Sequence, residues 1–548
     1  MPATPPPWLA PLLLLLLLLA GGLFVDDYGI SWDEAIQRRH GRISVDYVDT
    51  RLGTGPGDGT PREPDYELAT YQWANYGMLF QITATVLEEG LGIAPDDHYR
   101  YYRLRHLLTL GLFGLALLCF YRTLRLRWPA GWLPLVGCTL LVLSPRILAN
   151  AFFNPKDHVL LCLYLIATYA LLRFLRYRGW GSLVGLAVAS ALALNTRLPA
   201  LVIPAAAVAI LLWEQLFNHP GNRRRLAQIA VYLPLTALCM IPIWPYLWED
   251  TWARFVGAFT QMAAFPWGGF GRLFGDEFTN GDVPAYYVPA WIAVTTPVVY
   301  LVFLLAGLWA AARGSIASVV ADRHLGVGFA GLADFTQLGL GLGPVLMVII
   351  LDSTLYNGWR HLHFVYPALV YLMVLGYDWL RHAPAGRPRR WVTALLAGGL
   401  TIGAVETVRY HPHQYAYFNL LVHGHPTAER FDTDYWGTSL RNLLIALADR
   451  HPTATAEQPL RIRCQSWPCQ DNLRALPPAY RGRLVAEPDW SRADYVVTHF
   501  NYELDAKQLE DRQDYFAFPA VELRRGGHTI SGAYDLRALR AARRQENQ

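Results

Sequence analysis

The chain has 548 residues, of which 53% are hydrophobic and only 16% are charged, whereas a soluble domain averages about 25% charged residues. The deficit is concentrated in the first three quarters, which indicates a polytopic membrane protein with a soluble C-terminal part. The small net charge of +4 predicts no nucleic-acid partner. Because the sequence contains no phosphate loop of the G-x-x-x-x-G-K-S/T type, ATP-driven work is not expected.

The apolar segments predict a bundle of membrane helices. A membrane helix needs about 20 mainly apolar residues. The first candidate could be a signal peptide, but its N-terminal region carries no Lys or Arg and no convincing cleavage site follows, so a retained helix is favoured. The sequence predicts about eleven spans, at residues 8–25, 104–121, 131–149, 157–175, 181–195, 198–217, 227–246, 287–311, 336–352, 362–380 and 391–409.

The charges of the loops predict the orientation of these spans. Arginine-rich loops, from "YRTLRLRW" to "RHAPAGRPRR", alternate along the chain with loops that hold few basic residues. Because loops rich in Lys and Arg remain in the cytoplasm, the N-terminus is predicted to be cytoplasmic, and residues 26–103 and 411–548 are predicted to be extracytoplasmic. The expected location is a bacterial plasma (inner) membrane, crossed many times.

The extracytoplasmic parts differ in pattern. The first loop contains an amphipathic stretch near 65–89 that predicts a helix on the membrane surface, and the mixture of Trp, Phe and Gly in 247–286 favours a re-entrant segment. Residues 411–548 predict a small α/β domain, with strands in "LRIRCQSW" and "ADYVVTHF" and a helix in "SLRNLLIALADR". Cys464 and Cys469 lie close together there, and either a disulfide or two free thiols fits the sequence.

Two adjacent carboxylates, Asp33 and Glu34, follow the first predicted span by only a few residues. They must therefore lie near the bilayer surface, where an acid holds its proton more tightly and becomes a better base near neutral pH. A solvated loop, or a salt bridge to Arg38 or Arg39, is the alternative. The pair is a candidate catalytic site.

The stretch "SPRILANAFFNPKDHV" (144–159) is a polar connection between two predicted spans on the extracytoplasmic side. Lys156 is the only lysine in the membrane part of a chain that otherwise uses Arg, and a lysine is a compact charge that suits a phosphate. Asp157 could orient this lysine or act as a second acid, and Arg146 is a further cation. Asn154, followed by a proline and an acid, also predicts a helix start, and the two interpretations are compatible.

Two more helix ends on the same side carry cations, Arg197 in "NTRLPA" and Arg360 with His361 in "YNGWRHLHF". A charge at membrane depth is costly, so each is either functional or extends to the interface. Their accumulation on one side favours a shared extracytoplasmic site. The His and Tyr residues of 409–421 favour an aromatic belt at the interface over a wall of that site.

Together these features resemble the GT-C superfamily of glycosyltransferases, in particular a bacterial subgroup of the protein O-mannosyltransferase and aminoarabinose transferase group (family 39-like). The resemblance is carried by the acidic pair, the surface helix of the first loop, the C-terminal domain and the runs "SPRILANAFFNPKD", "NGWRHLHFVYP", "HPHQYAYFN" and "DYWGTS". It covers essentially the whole chain. It implies a mainly α, polytopic GT-C module over residues 1–410, followed by an α/β domain over 411–548.

The resemblance implies an inverting glycosyltransferase that moves a sugar from a polyprenyl-phosphate donor to an acceptor on the outer face of the membrane. Asp33 would be the general base for the acceptor, and Glu34 would assist it. No cofactor is expected, because the lipid phosphate leaves without a diphosphate to neutralise; a weakly bound divalent metal at the acidic loop stays open. The residues expected to hold the donor phosphate or sugar are Lys156, Asp157, Arg197, Arg360, His361 and Arg146.

The acceptor also stays open: a lipid, a glycan or a protein fits, because the sequence lacks the MIR-type domain of the protein mannosyltransferases. The alternative function is a polytopic transporter or flippase of lipid-linked sugars. That function predicts internal repeats and helices broken at mid-membrane, and the sequence shows neither clearly. A non-catalytic assembly or binding protein is the third interpretation.

Overall fold

The protein is mainly helical, as predicted, and every predicted span coincides with a helix or a pair of helices. The computed structural model describes residues 4–54, 61–263, 268–279, 282–382, 389–422, 429–500 and 513–546. The helices are α1 (Leu9–Phe24), α2 (Glu34–Leu52), α3 (Leu79–Gly90), α4 (His98–Arg127), α5 (Leu133–Val142), α6 (Pro145–Phe153), α7 (Asp157–Tyr177), α8 (Trp180–Leu194), α9 (Val202–Trp213), α10 (Arg223–Met240), α11 (Thr251–Ala263), α12 (Tyr287–Thr295), α13 (Val298–Asp322), α14 (Gly328–Ile350), α15 (Tyr366–His382), α16 (Arg389–Tyr410), α17 (Ser439–Arg450), α18 (Trp467–Arg474) and α19 (Leu536–Glu546).

The multi-pass architecture is confirmed, although the predicted spans differ in quality. Within the described ranges, eight helical segments are long and apolar enough to cross a membrane. The pair α5 and α6, bent by 67°, makes a ninth if it is one span. The remaining two predicted spans correspond to shorter helices, α8 with 15 residues and α15 with 17.

The core of the bundle is built around α7 and α15. Residues Tyr366 to Tyr377 of α15 are all buried, and α7 is buried along most of its length. This burial means that other helices surround both α7 and α15. By contrast, Leu19 and Leu23 of α1 are well exposed on the outside of the bundle.

Short connections bring distant parts of the sequence to one end of this bundle. Because α7 and α8 are separated by only Arg178 and Gly179, they run in opposite directions, and the end of α8 returns to the start of α7. The starts of α9 and α15 and the end of α1 lie at the same end. The end of α16 joins them, since Nε2 of His411 lies 2.8 Å from Oδ2 of Asp27.

The first loop departs from its prediction. Helix α2, which begins at Glu34, was not predicted, and the surface helix expected near 65–89 begins only at Leu79. The chain before Leu79 is held against the bundle by a close approach, because a Cβ at Gly77 would lie 2.2 Å from the backbone of Asn195. The side chain of Asn195 also accepts the Leu79 N–H at 2.8 Å, so tertiary contact determines where the helix starts.

The stretch 247–286 contains α11 and a short antiparallel hairpin, β1 (Gly271–Leu273) with β2 (Asp276–Phe278). Its residues 264–267 and 280–281 lie outside the described ranges. The immersion of this stretch in the membrane stays a prediction.

A small sheet domain follows the bundle, which confirms the predicted α/β appendage. Its strands are β3 (Leu460–Cys464), β4 (Leu484–Ala486), β5 (Tyr495–Thr498), β6 (Pro519–Arg525) and β7 (His528–Asp535). The strand order is β4-β3-β5-β7-β6, with β4, β3 and β5 parallel and β5, β7 and β6 antiparallel. The predicted strands correspond to β3 and β5, and the predicted helix corresponds to α17. Cys464 and Cys469 form a disulfide.

Candidate active site

Four of the predicted residues form a buried ion-pair cluster where α7 and α15 begin. Arg360 bridges two carboxylates: its Nη2 lies 2.6 Å from Oδ2 of Asp33, and its Nε lies 3.0 Å from Oδ2 of Asp157. Arg197 donates from Nη1 to the other oxygen of Asp157. All four residues are at most 9% exposed. Separate stretches of the sequence are thus in direct contact.

Lys156 completes the ion-pair cluster. Its Nζ lies 3.8 Å from Oδ2 of Asp33 and 4.3 Å from the centre of the Tyr76 ring. The side chain of Asn154 accepts the backbone N–H of Lys156 at 3.2 Å and that of Asp157 at 2.8 Å. Because Asn154 starts α7 while Lys156 reaches the cluster, the helix-start and binding-site interpretations of this stretch hold together.

The cluster contains more positive than negative charge. Lys156, Arg197 and Arg360 are three cations against two carboxylates, which leaves an excess of one positive charge. His361 lies beside them as a neutral imidazole, because burial and the nearby Arg197 and Arg360 lower its pKa well below the usual range. An unpaired buried charge is costly, so the excess favours the binding of an anion.

Asp33 differs from its neighbour Asp157 in the way it is held. Arg360 and Lys156 both approach Oδ2 of Asp33, and no side-chain hydrogen bond within the described ranges involves its Oδ1. The Asp33 side chain is 13% exposed, whereas that of Asp157 is 1% exposed. Of the two carboxylates, Asp33 therefore keeps an oxygen for an incoming group.

Aromatic side chains that the sequence did not assign to the site enclose the cluster. The ring of Trp436 lies 4.4 Å from Cζ of Arg360, and the ring of Tyr356 lies 5.7 Å from the same atom. Such cation–π contacts hold a guanidinium in place. Trp436 belongs to the "DYWGTS" run of the resemblance, which is the one sequence signal that pointed to it.

Glu34 lies next to Asp33 in the sequence but faces away from the cluster. Its Oε1 accepts the N–H of Ser31 at 2.7 Å, and its Oε2 lies 2.9 Å from Nε2 of His106. The residue is 1% exposed. Glu34 is therefore placed to shape the turn that carries Asp33.

Arg146 also lies apart from the cluster. Its Nε donates to the carbonyl of Tyr417 at 3.0 Å, and its guanidinium stacks near Phe418, 4.7 Å from the ring centre. Tyr415, Tyr417 and Phe418 are at most 5% exposed. The interpretation of 409–421 as an aromatic belt is therefore wrong, because these rings pack inside the protein and support α6.

An apolar cavity of about 580 Å³ opens beside the cluster. Its walls come mainly from α9, α14 and residues 351–364, with Ala206, Gly339 and Leu355 as examples. Among the described residues that line it, only Arg197 and His361 are charged or titratable. The cavity thus has one charged end, where Arg197 of the ion-pair cluster lines it.

A further buried acid, Asp432, lies in the segment that leads to Trp436. Its Oδ2 accepts the N–H of Arg272 at 3.3 Å, and the residue is 3% exposed. Burial raises its pKa to about 7, against the opposing effect of the Arg272 N–H. The sequence assigned no chemistry to this residue. In the part of the chain that the structure describes, no three His, Cys, Asp or Glu side chains are grouped to hold a metal ion.

One segment of the chain matches a model of a known protein family. Residues 107–248, about a quarter of the chain, match the profile of the family described as dolichyl-phosphate-mannose-protein mannosyltransferase. The matched segment contains Lys156, Asp157 and Arg197. It confirms the predicted resemblance to GT-C glycosyltransferases of the protein mannosyltransferase and aminoarabinose transferase group.

Two solved structures of ArnT from Cupriavidus metallidurans are similar to this chain. The apo structure shares 14% sequence identity, covers 96% of this chain and 98% of its own, and gives a TM-score of 0.48. The structure bound to undecaprenyl phosphate has the same identity and coverage and a TM-score of 0.45. No functionally curated protein matches the chain.

Proposed function

We propose that the protein is an inverting glycosyltransferase that moves a sugar from a polyprenyl-phosphate donor to an acceptor hydroxyl on the outer face of the membrane. The observation that carries this proposal is the order of parts: an apolar cavity, then a cluster with excess positive charge, then a carboxylate with a free oxygen. A lipid-linked sugar phosphate has an apolar chain, an anion and a reactive carbon in the same order. The family match over residues 107–248 supports this class of donor.

The cations stabilise the leaving group. A sugar joined to a prenyl phosphate is a diester with one negative charge, which matches the excess charge of the cluster. When the bond between the anomeric carbon and the phosphate oxygen breaks, negative charge grows on the phosphate. Lys156, Arg197 and Arg360 are placed to stabilise that charge, and fixed cations in a dry site do so effectively.

Asp33 acts on the acceptor. Its Oδ1 takes the proton of the acceptor hydroxyl while the acceptor oxygen attacks the anomeric carbon from the face opposite the phosphate. The new glycosidic bond forms with inverted configuration, and the polyprenyl phosphate leaves. Glu34 assists indirectly, by holding the turn that carries Asp33. The scheme uses no metal ion, because the cluster itself supplies the positive charge.

The test compares membranes that contain wild type, Asp33→Asn or Asp65→Asn at equal amounts of folded protein. Each is incubated, with and without EDTA, with a panel of radiolabelled polyprenyl-phosphate sugars, and sugar release from the lipid is followed. Asp65 lies exposed on the same loop and serves as the matched control. The wild type and Asp65→Asn should consume one donor, with or without EDTA, and Asp33→Asn should lose about 100-fold or more.

The outcomes separate the alternatives. If Asp33→Asn consumes the donor at the wild-type rate, Asp33 is not the base. If the wild type consumes none of the donors, with or without EDTA, but moves a lipid-linked sugar across the membrane of vesicles, the flippase interpretation replaces the proposal. Loss of consumption with EDTA would contradict the metal-free scheme alone.

A further inference from the structure

The segment that carries Asp33 is held by the C-terminal domain in addition to its contacts with Glu34 and with the carbonyl of Phe153. Residues 26–33, here called the threaded segment, connect α1 to α2. They pass beneath α17 and α18, more than 400 positions later in the chain. The position of Asp33 therefore depends in part on contacts that this domain makes.

Asn472 makes the most specific of these contacts. Its Oδ1 accepts the N–H of Ile30 at 2.8 Å, and its Nδ2 donates to the carbonyl of Ile30 at 2.9 Å. The same Nδ2 donates to the carbonyl of Pro468 at 2.8 Å, which holds the amide in this orientation. Asn472 is fully buried. One side chain thus pairs both polar backbone groups of a residue three positions before Asp33.

Packing around Gly29 shows how tightly the threaded segment fits. A Cβ at position 29 would lie 2.1 Å from the carbonyl oxygen of Thr438 and 2.9 Å from Cβ of Arg441. No residue with a side chain fits there without moving backbone, so Gly29 is required by close approach. The segment is therefore enclosed between α17 and α18.

Two further hydrogen bonds fix the ends of the threaded segment. The N–H of Trp32 donates to the carbonyl of Trp436 at 3.0 Å. Nε of Arg441 donates to the carbonyl of Asp26 at 2.9 Å. Both partners belong to the C-terminal domain, and Trp436 also packs on Arg360.

Asn472 is itself rigidly placed. It lies in α18, whose first turn contains Cys469, and the disulfide joins this turn to Cys464 at the end of β3. The sheet, the disulfide and α18 thus form one continuous support beneath the Asn472 amide.

We propose that Asn472 is a positioning residue for the transfer reaction: through Ile30 it sets the place of the Asp33 carboxylate relative to the bound donor. This inference rests on the proposed function, in which Asp33 is the base. The donor phosphate is held by Lys156, Arg197 and Arg360, and Asn472 contacts none of them within the described ranges. Loss of Asn472 should therefore affect turnover and leave donor binding nearly unchanged.

The test uses the full chain in lipid nanodiscs, with Asn472→Ala, the smaller change Asn472→Asp, and the control Arg483→Gln. Arg483 donates to the carbonyls of Ala448, Ala454 and His451, so its loss loosens the same domain without touching the threaded segment. Hydrogen exchange of peptides covering 26–33 reports directly how firmly the threaded segment is held, independently of enzymatic activity. Donor consumption gives kcat and KM, in the wild-type and Asp33→Asn backgrounds.

Asn472→Ala should raise exchange of the threaded segment by about tenfold, and Asn472→Asp should raise it less because it keeps an acceptor for Ile30. For Asn472→Ala, kcat should fall by about tenfold to a hundredfold, with KM within about threefold. Arg483→Gln should change neither the exchange of the threaded segment nor kcat. In the Asp33→Asn background, Asn472→Ala should cause no further loss of kcat.

Three results would overturn the inference. The first is unchanged hydrogen exchange in Asn472→Ala, and the second is that Arg483→Gln changes exchange and kcat as much as Asn472→Ala does. The third is that Asn472→Ala raises exchange but keeps the full kcat, although Asp33→Asn alone is inactive. A different result, full activity of Asp33→Asn itself, would instead remove the proposed function. The exchange measurement would then still decide whether Asn472 holds the threaded segment.

Discussion

Arg360 offers the sharpest test of the site geometry, because charge and shape can be separated there. Its two contacts, 2.6 Å to Asp33 and 3.0 Å to Asp157, are made by different nitrogens of one planar group. Arg360→Lys keeps the charge but has a single ammonium, which cannot hold both carboxylates in this geometry. One buried, charge-assisted hydrogen bond should be lost, worth about 1.5–3 kcal/mol. That corresponds to a fall of about 10- to 150-fold in kcat/KM.

The assay is donor consumption by purified protein, with kcat/KM and thermal stability measured on the same samples. Arg127→Lys is the matched control, because Arg127 makes a similar two-nitrogen contact with Asp334, at 2.9 and 3.1 Å, in a contact separate from the ion-pair cluster. It should lose comparable stability and keep activity. If Arg360→Lys retains kcat/KM within about threefold while Arg360→Gln is inactive, charge alone suffices and the bridging argument is wrong. An equal loss of activity in Arg127→Lys would indicate general loosening of the bundle.

Two further predictions concern pH and the cavity. Asp432 has its pKa raised from 3.8 to about 7 in the folded protein, so its contribution to stability is complete below about pH 4 and is lost as the pH rises through about 7. Between pH 5 and 7 the loss of stability is about 1.4 kcal/mol per pH unit. Asp432→Asn should therefore reduce the decrease of the melting temperature between these pH values. An equal decrease in the variant and the wild type would contradict the raised pKa of Asp432. Gly339 lines the cavity. At both Gly339 and Gly343 an added Cβ atom would have no neighbouring atom within 4 Å, so both positions have room for a side chain. Gly339→Phe should displace part of the prenyl chain from the cavity and, at about 0.8 kcal/mol per methylene, raise KM for a long-chain donor about tenfold or more. Gly343→Phe on the same helix should leave this KM unchanged. Equal KM values for the two variants would mean that the prenyl chain binds elsewhere.

The meeting of Asp33, Lys156, Asp157, Arg197 and Arg360 could be predicted because it follows from simple topology. Helices joined by short connections alternate in direction, so polar residues at every second connection lie at the same end of the bundle. Hydropathy locates the helices and loop charges distinguish the two ends, so cations at one end are expected to lie near each other, although Arg146 at this end lies apart from the cluster. The topology does not predict the contact distances or the bridge that Arg360 makes between Asp33 and Asp157.

Other features could not be predicted because they depend on long-range packing. The start of α3 is determined by the contact of Gly77 with Asn195, and nothing in the amphipathic pattern of residues 65–89 indicates that contact. The direction of the Glu34 side chain depends on His106. Trp436 was visible only as part of a run that resembles the family, since its carbonyl and ring contact Trp32 and Arg360 from a distant part of the sequence.

The separation of Ile30 and Asn472 by 442 positions has a consequence for biosynthesis. Residues 26–33 leave the ribosome long before their partners in α17 and α18, which lie more than 400 positions later in the chain. Throughout translation the bundle can insert and the cations can gather, yet the threaded segment lacks its contacts with Trp436, Arg441 and Asn472 until the C-terminal domain has folded onto it. Under the proposed function, a nascent or truncated chain would therefore bind a donor before it could turn that donor over at the full rate, which it would reach only once the C-terminal domain has folded.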